Sequence, residues 1–448
     1  MLKSVLIANR GEIARRIIRT ARLLGIETIA VYSDIDEKVL FVQEADKSVR
    51  IGEAKPGDSY LNIDKIIGAA KESGATAIHP GYGFLSERWE FAQRCETEGL
   101  IFIGPSSEVI HKMGDKYRSR EIATSLGIPI PPGSGILSTF EEAEEWAAKL
   151  SFPVIFKASA GGGGIGMMKV EKMEEVAEAF DTATNRARLA FGDERVYVEK
   201  YLESPHHIEI QILGDKNGNV ITFPERECSV QRRHQKVIEE SPSPFTTDEL
   251  RHELQHAAKR LAQGIGNTSA GTVEFVVDKH RDFYFLEINT RLQVEHPITE
   301  MITGIDLVEQ QIRIASGESL SLREDSLGWR GWAIESRIYA EDSENFYPSP
   351  GKIVSYIEPR GEGIRVDSGY QAGDTVSQFY DPLIAKLVVW GEDRNKGIIR
   401  MQHALDHYEI TGIKNNIPFL RTAFGSGIFK SGNYDTHFIS KLKEGKNE

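Results

Sequence analysis

Two acids and an amide in adjoining β-type runs are the first residues whose types and spacing suggest chemistry. Glu274 lies in Thr272-Val273-Glu274-Phe275-Val276-Val277, and Glu287 and Asn289 lie in Phe283-Tyr284-Phe285-Leu286-Glu287-Ile288-Asn289, with Asp278-Lys279-His280-Arg281-Asp282 between the runs. A strand repeats every two residues, so Glu287 and Asn289 share one face while Leu286 and Ile288 take the other. If the two runs pair, two carboxylates and an amide oxygen converge on one surface. Close carboxylates in an apolar setting repel one another and are costly to desolvate. A hard cation relieves both effects, and an oxygen-only set suits Mg²⁺ or Mn²⁺, with nucleotide phosphates completing the shell. The same alternation would also serve the wetted outer face of an antiparallel sheet.

Cations cluster around these acids in the sequence. Thr290-Arg291-Leu292-Gln293-Val294-Glu295-His296-Pro297 follows directly, and Glu225-Arg226-Glu227-Cys228-Ser229-Val230-Gln231-Arg232-Arg233-His234-Gln235-Lys236 lies upstream. The upstream run follows a strand and mixes Gln, Arg, His and Lys, which favours an anion pocket over a solvated face. A third signal is Lys157-Ala158-Ser159-Ala160-Gly161-Gly162-Gly163-Gly164-Ile165-Gly166-Met167. Each glycine costs about 0.5–1 kcal/mol of extra backbone entropy on ordering, and a structural turn needs only one or two. Bare N–H groups closing over phosphates account for the run, with Lys157 supplying a cation at the strand end. A flexible surface linker would not usually sit between two apolar strands. No Gly-Lys-Ser/Thr follows, so this is not a Walker loop.

The elements that must position these groups follow from the rest of the chain. It has 448 residues, 40% hydrophobic and 27% charged, an ordinary globular composition with length for about three domains. The net charge of −13 argues against a general nucleic-acid binder but leaves room for a local anion site. Cys95 and Cys228 form no CxxC, which excludes a disulfide framework and a Cys-rich zinc site. The opening Met-Leu-Lys-Ser-Val-Leu-Ile-Ala-Asn-Arg is too short for a signal-peptide core, and no run of about 18 apolar residues occurs. A cytoplasmic protein with no membrane contact is expected.

Val5–Ala8, Thr28–Tyr32, Ala77–His79 and Ile101–Ile103 are short apolar runs. They alternate with helical spacing at Ile13, Ile17, Ile18 and Ala21 and again around Trp89–Cys95, the pattern of βαβ units on a parallel sheet. The first strand–helix turn lacks GxGxxG, and Asp34 alone is a weak ribose signal, so a dinucleotide site is disfavoured. His79-Pro80-Gly81-Tyr82-Gly83 suits either a ligand crevice at the strand ends or a plain tight turn. Ile128-Pro129-Ile130-Pro131-Pro132-Gly133 reads as a boundary. Beyond it, strands are expected at Val154–Ala158, Val196–Glu199, Ile208–Leu213 and Val220–Phe223, with a helix near Glu174–Ala190 and a hairpin loop over Gly214–Asn219. The tail after about residue 330 reads as short strands (Trp332–Ala340, Lys352–Ile357, Ile384–Trp390) and one helix near Asn395–His407.

Taken together, these residues resemble the ATP-grasp superfamily and, within it, the biotin carboxylases. The matching stretches are Ile7-Ala8-Asn9-Arg10-Gly11-Glu12-Ile13-Ala14, His79-Pro80-Gly81-Tyr82-Gly83-Phe84-Leu85-Ser86-Glu87, Met113-Gly114-Asp115-Lys116, the glycine loop, and Glu199-Lys200-Tyr201-Leu202. Gln231–Lys236, Glu287–Pro297 and Tyr347-Pro348-Ser349-Pro350-Gly351 continue the match, in family order, over nearly the whole chain. The resemblance implies an α/β fold: a Rossmann-like parallel sheet over residues 1–114, an ATP-grasp domain over 115–330 with a lid at about 131–203, and a mixed α+β domain over 331–448. It implies that Lys116, Lys157, His207, Gln231, His234 and the loop glycines Gly162, Gly163, Gly164 and Gly166 meet ATP, with Glu199, Lys200, Tyr201 and Leu202 around the adenine. Glu274, Glu287 and Asn289 match metal ligands for two Mg²⁺ or Mn²⁺ ions. Lys236, Arg291, Gln293, Val294 and Glu295 match a bicarbonate site, with Glu295 as the base. Tyr82 and Arg337 match the biotin site, Arg337 stabilising the enolate. Ile165 departs from the family, many of whose members carry Arg there.

The implied reaction is ATP-dependent carboxylation of biotin through carboxyphosphate, the first half-reaction of an acetyl-CoA, other acyl-CoA or pyruvate-type carboxylase, a step of fatty acid biosynthesis in the first case. Met168-Lys169-Val170 is the nearest approach to a biotinylated Met-Lys-Met, and it belongs to the strand after the glycine loop. The expected partners are therefore a biotin carboxyl carrier protein and a carboxyltransferase subunit, and the family resemblance implies a homodimer. Another ATP-grasp ligase, of the carboxylate–amine or carbamoyl-phosphate type, would share the metal acids and lid but not the combination of Gln231–Lys236 with Arg291–Glu295. A non-catalytic scaffolding subunit would not need every catalytic residue type.

Overall fold

A computed structural model of the chain describes residues 2–159, 167–323 and 327–445. Its N-terminal unit is a parallel sheet of β1 (Ser4–Ile7), β2 (Glu27–Ser33), β3 (Lys47–Gly52), β4 (Ala77–His79) and β5 (Ile101–Phe102), in the order β3-β2-β1-β4-β5. Helix α1 (Gly11–Leu23) buries Ile13, Ile17, Ile18 and Ala21 against it, as their helical spacing demands. β3 was not foreseen because its first four residues, Lys-Ser-Val-Arg, are largely exposed. It is an edge strand without the apolar run that marks a central one.

A three-stranded antiparallel sheet of β6 (Val154–Ala158), β7 (Met168–Val170) and β8 (Val196–Lys200), in the order β7-β6-β8, forms a second unit. Helices Phe140–Leu150 and Val176–Phe191 cover one face of it around Val154, Phe156 and Val198. Alternation in β6 turns Lys157 away from that core. The glycine run between β6 and β7, with Gly162, Gly163, Gly164, Ile165 and Gly166, lies outside the described residues.

The largest sheet joins the middle of the chain to its tail. It contains β9 (His206–Gly214), β10 (Val220–Thr222), β11 (Arg226–Arg232), β12 (Gln235–Ser241), β13 (Ser269–Val277), β14 (Phe283–Asn289), β15 (Trp332–Tyr339), β18 (Ile364–Ser368) and β20 (Leu383–Gly391). The order is β14-β13-β9-β11-β12-β15-β20-β18, with β10 hairpinned onto β9. Asp215 closes that hairpin by accepting from the backbone N–H groups of Asn217 and Asn219. The sheet runs without a break across residue 330 through the β12–β15 pairing.

The tail is more helical than its sequence suggests. Besides Arg394–Asp406 it holds helices Ile417–Gly425, Gly427–Ser431 and Phe438–Glu444. These pieces of five to nine residues are too short to display a helical period on their own. The strand expected over Lys352–Ile357 is two strands with separate partners, β16 (Gly351–Lys352) with β19 (Thr375–Val376) and β17 (Ser355–Ile357) with β21 (Glu409–Thr411).

Candidate active site

β13 and β14 pair antiparallel with Glu274 opposite Glu287 and Thr272 opposite Asn289. The register therefore brings the two acids and the amide to one surface, and a bulge follows Glu274. Glu274 and Asn289 are buried, which excludes the wetted outer face. Asn289 Nδ2 donates to Glu274 Oε1 at 2.7 Å. β9 lies on the other side of β13, with Glu209 opposite Glu274 and His207 opposite Val276. His207 Nε2 lies 2.8 Å from Glu274 Oε2, and Lys236 Nζ lies 3.2 Å from Glu274 Oε1. Burial would raise the Glu274 carboxyl, but Lys236 and then His207 hold it well below the ordinary carboxylate range. Glu287 is met by Lys116 Nζ at 3.2 Å.

Hard oxygens facing one another across a strand pair, their charge balanced by side-chain cations, fit a divalent metal. His207, Glu209 and Glu274 also bring ligating atoms within 4.8 Å of one another, deeper than the set expected from the sequence.

Lys236 is a hub among the buried acids. Its Nζ donates to Glu209 Oε2 at 2.5 Å and Glu295 Oε1 at 2.6 Å. Glu295 is fully buried, and its second oxygen takes Arg337 Nη2 at 2.9 Å. Burial opposes ionisation of Glu295, but Lys236, Arg337 and Arg226 together keep its carboxyl far below its usual range. Arg337 Nε donates to Glu239 Oε1 at 2.6 Å. Burial pushes the Glu239 carboxyl up to about 7 against the pull of Arg337. Arg291 donates to Asn289 Oδ1 at 3.0 Å and Gln293 Oε1 at 3.1 Å, and its Nε lies 2.9 Å from Glu87 Oε2.

A second group of cations lies around Glu199. Glu199 pairs with both Arg120 and Lys157. Burial, followed by the nearby Lys116 and Arg120 charges, lowers the Lys157 ammonium to about 7. Arg233 and His234 both have positive φ, 49° and 66°, in the two-residue turn between β11 and β12. Two-residue hairpins favour this left-handed conformation, and here the turn sets His234 on the cleft wall. Gln231 Nε2 lies 2.8 Å from His207 Nδ1.

These groups surround one cleft of about 890 Å³. Its walls include Lys116, Lys157, Glu199, Lys200, Tyr201, Leu202, His207, Gln231, His234, Lys236, Glu274, Glu287, Asn289, Arg291, Gln293, Val294, Arg337 and Tyr82. Glu295 is buried beside the wall, its two oxygens held by Lys236 and Arg337. The HPGYG segment is both of the things its residues allow. It is a turn, with Gly81 and Gly83 at φ 64° and 68°, and it lines the cleft.

Sequence reasoning passed over the partners that fix these side chains, namely Glu209, Glu87, Arg120 and Glu239. Glu209 carried a usable signal, because it alternates with His207 along one strand face. The others come from distant segments whose approach no local pattern encodes.

Residues 1–110 match the family described as biotin carboxylase, N-terminal domain. Residues 115–323 match carbamoyl-phosphate synthase L chain, ATP binding domain, and residues 335–441 match biotin carboxylase C-terminal domain. Biotin carboxylase 2 of Bacillus subtilis is 50% identical over 442 residues, covering 98% of this chain and 100% of its own. A crystallised biotin carboxylase–β-γ-ATP complex from Campylobacter jejuni superposes with a TM-score of 0.97 at 47% identity, over 98% of this chain and 99% of the other. The biotin carboxylase domain dimer of Hydrogenobacter thermophilus 2-oxoglutarate carboxylase, solved with MgADP, ADP and bicarbonate, gives 0.96 at 47% identity over 98% of each chain.

Proposed function

The chain belongs to the biotin carboxylase family, and from that premise we propose how its cleft carries out ATP-dependent carboxylation of biotin by bicarbonate. The activity is the first half-reaction of a biotin-dependent carboxylase, and the chain is an enzyme that takes ATP and Mg²⁺. One observation carries the assignment of roles: Glu295 is shared between Lys236, which also meets Glu274, and Arg337. On our reading this one carboxylate serves both the proton that leaves bicarbonate and the charge that develops on biotin.

Arg291 offers a fork to planar bicarbonate, while Asn289 and Glu87 hold its orientation. Lys236 and the Val294 loop complete the anion pocket. Glu295, kept ionised by its cations, accepts the bicarbonate proton as the bicarbonate oxygen attacks the γ-phosphorus. The bond to the ADP oxygen breaks, giving ADP and carboxyphosphate. Phosphoryl transfer needs mainly positioning and charge neutralisation, which Lys116, Lys157 and His207 supply from this chain. A divalent metal held by Glu274, Glu287 and Asn289 would supply the remaining neutralisation of phosphate charge. We assign two ions to this set and expect Mn²⁺ to substitute.

Carboxyphosphate hydrolyses in bulk water, so the glycine loop Gly162, Gly163, Gly164 and Gly166 has a purpose as a lid. Glu199, Lys200, Tyr201 and Leu202 would frame the adenine, with Gln231 and His234 beside the nucleotide. Biotin would enter beside Tyr82, with Arg337 aimed at its ureido oxygen to stabilise the enolate. As the carbon–oxygen bond to phosphate breaks, we assign the ureido N–H proton to the departing phosphate, and the nitrogen forms its bond to the carboxyl carbon.

The domain division 1–114, 115–330 and 331–448, with a lid at about 131–203, belongs to the same reading. The chain dimerises like the Hydrogenobacter domain, and we propose a biotinylated carrier protein and a carboxyltransferase as its partners. No described helix is long and apolar enough to cross a membrane, and a cytoplasmic location is our reading. Fixation of radiolabelled bicarbonate into carboxybiotin, requiring both ATP and free biotin, tests the function. ATP cleavage that ignores bicarbonate would instead favour another ATP-grasp ligase.

A further inference from the structure

One buried cation next to this cleft has no part in the chemistry above. Lys386, on β20, is fully buried, a costly place for an ammonium group unless its donors are matched. Its Nζ donates to the backbone oxygen of Val294 at 3.0 Å and lies 3.1 Å from Glu12 Oε2. It also sits 5.8 Å from the centre of the Tyr82 ring. Glu12 comes from the first turn of α1, and its carboxylate accepts no other hydrogen bond among the described residues. The backbone there is tightly packed, since a Cβ placed on Gly369 would lie 2.7 Å from the Glu12 nitrogen.

The register gives this contact its meaning. β15 and β20 pair with Arg337 directly opposite Lys386, so both side chains leave the sheet on one face. Arg337 reaches Glu295 and Lys386 reaches the carbonyl of Val294. Two neighbouring strand residues thereby grip two consecutive residues of the loop, one by its side chain and one by its backbone.

We propose that Lys386 is a positioning residue for bicarbonate. It fixes the Val294–Glu295 peptide so that the loop is already shaped before the anion arrives, and Glu12 holds Lys386 in place. The contact ties together α1, the loop after β14 and β20, and it touches no reacting atom. The inference rests on the assignment of the Val294 loop to the bicarbonate site.

The test is steady-state ADP release from Mg-ATP with free biotin and varied bicarbonate, for the wild type, Lys386→Met, Glu12→Gln and the double variant, with thermal midpoints for each. Lys386→Met alone strands a buried carboxylate, so a loss of stability is expected whatever the role. The double variant removes that charge and recovers part of the thermal midpoint, while Glu335 and Asp367 still lose the Lys386 charge. The proposal requires bicarbonate KM to remain raised in the double variant by roughly tenfold or more, the scale of a lost charge-assisted hydrogen bond, with ATP KM unchanged. A double variant with wild-type bicarbonate KM, or one whose ATP and bicarbonate KM rise together, overturns it. A wild type whose ADP release ignores bicarbonate overturns the site assignment itself and the inference with it.

Discussion

At the scale of single residues, neighbouring cations keep Glu274 and Glu295 ionised against their burial. Glu295 holds two cations, and its amide variant tests the general-base assignment. Glu295→Gln should lower kcat for bicarbonate-dependent ADP release by roughly 10²–10⁴, the usual worth of a positioned base, while ATP KM stays unchanged. An ATP KM that rises in step with the loss of kcat would point to a collapsed cleft instead. Lys157 gives a proton signature. Burial and the Lys116 and Arg120 charges depress its ammonium to about 7, against the Glu199 carboxylate beside it, so that it is only partly charged at pH 8 in the free protein. Phosphate oxygens favour the charged form, so ATP binding raises this pKa and takes up a proton at pH 8, but takes up almost none at pH 6, where Lys157 is already charged. Calorimetry at both pH values, in buffers of different ionisation enthalpy, reads that uptake. Equal uptake at the two would remove Lys157 from the phosphate contacts.

Elements do the positioning, and the turn after β4 shows how little space they leave. Gly81 adopts φ 64°, and a Cβ there would lie 2.9 Å from Asn9 Nδ2. Asn9 Nδ2 donates to the backbone oxygens of Pro80 and Tyr82, so the glycine is what lets Tyr82 reach the cleft. Gly81→Ala should cost about 1–2 kcal/mol in stability through the left-handed backbone alone, and biotin KM should rise while bicarbonate KM does not. Equilibrium unfolding and biotin titrations together measure this, and a biotin KM equal to that of the wild type would detach Tyr82 from the biotin site. The strands that carry Glu274, Glu287, Lys157 and Glu199 were legible as short runs of β-branched and aromatic residues. The edge strand β3 was not, because Val49 and Ile51 are its only apolar residues, and the tail helices were not, because five to nine residues are too few to fix a helical period. The acids could be placed from alternation, whereas Glu87, Arg120, Glu239 and Lys386 could not, since they reach the site through contacts between distant segments.

At the scale of the molecule, buried ion pairs join regions far apart in the chain. Arg365 reaches Glu300 at 2.7 Å and Asp367 at 2.6 Å, while Arg16 of α1 meets Glu300 at 2.6 Å. Arg365→Met would leave Asp367, nearly inaccessible, facing a weaker field, and breaking a buried pair this way costs about 3 kcal/mol or more. Denaturant unfolding should show that loss, and an unchanged midpoint would mean that the network adds nothing. Chelation gives a second test at this scale: removing divalent metal should abolish ATP cleavage, and Mg²⁺ or Mn²⁺ should restore it. Cleavage that persists in chelator would contradict the role given to Glu274 and Glu287. The most direct test of the whole account follows one oxygen atom. With oxygen-labelled bicarbonate, Mg-ATP and free biotin, attack of bicarbonate on the γ-phosphate predicts one labelled oxygen in each phosphate released. Phosphate that carries no oxygen from bicarbonate would contradict the account at its centre.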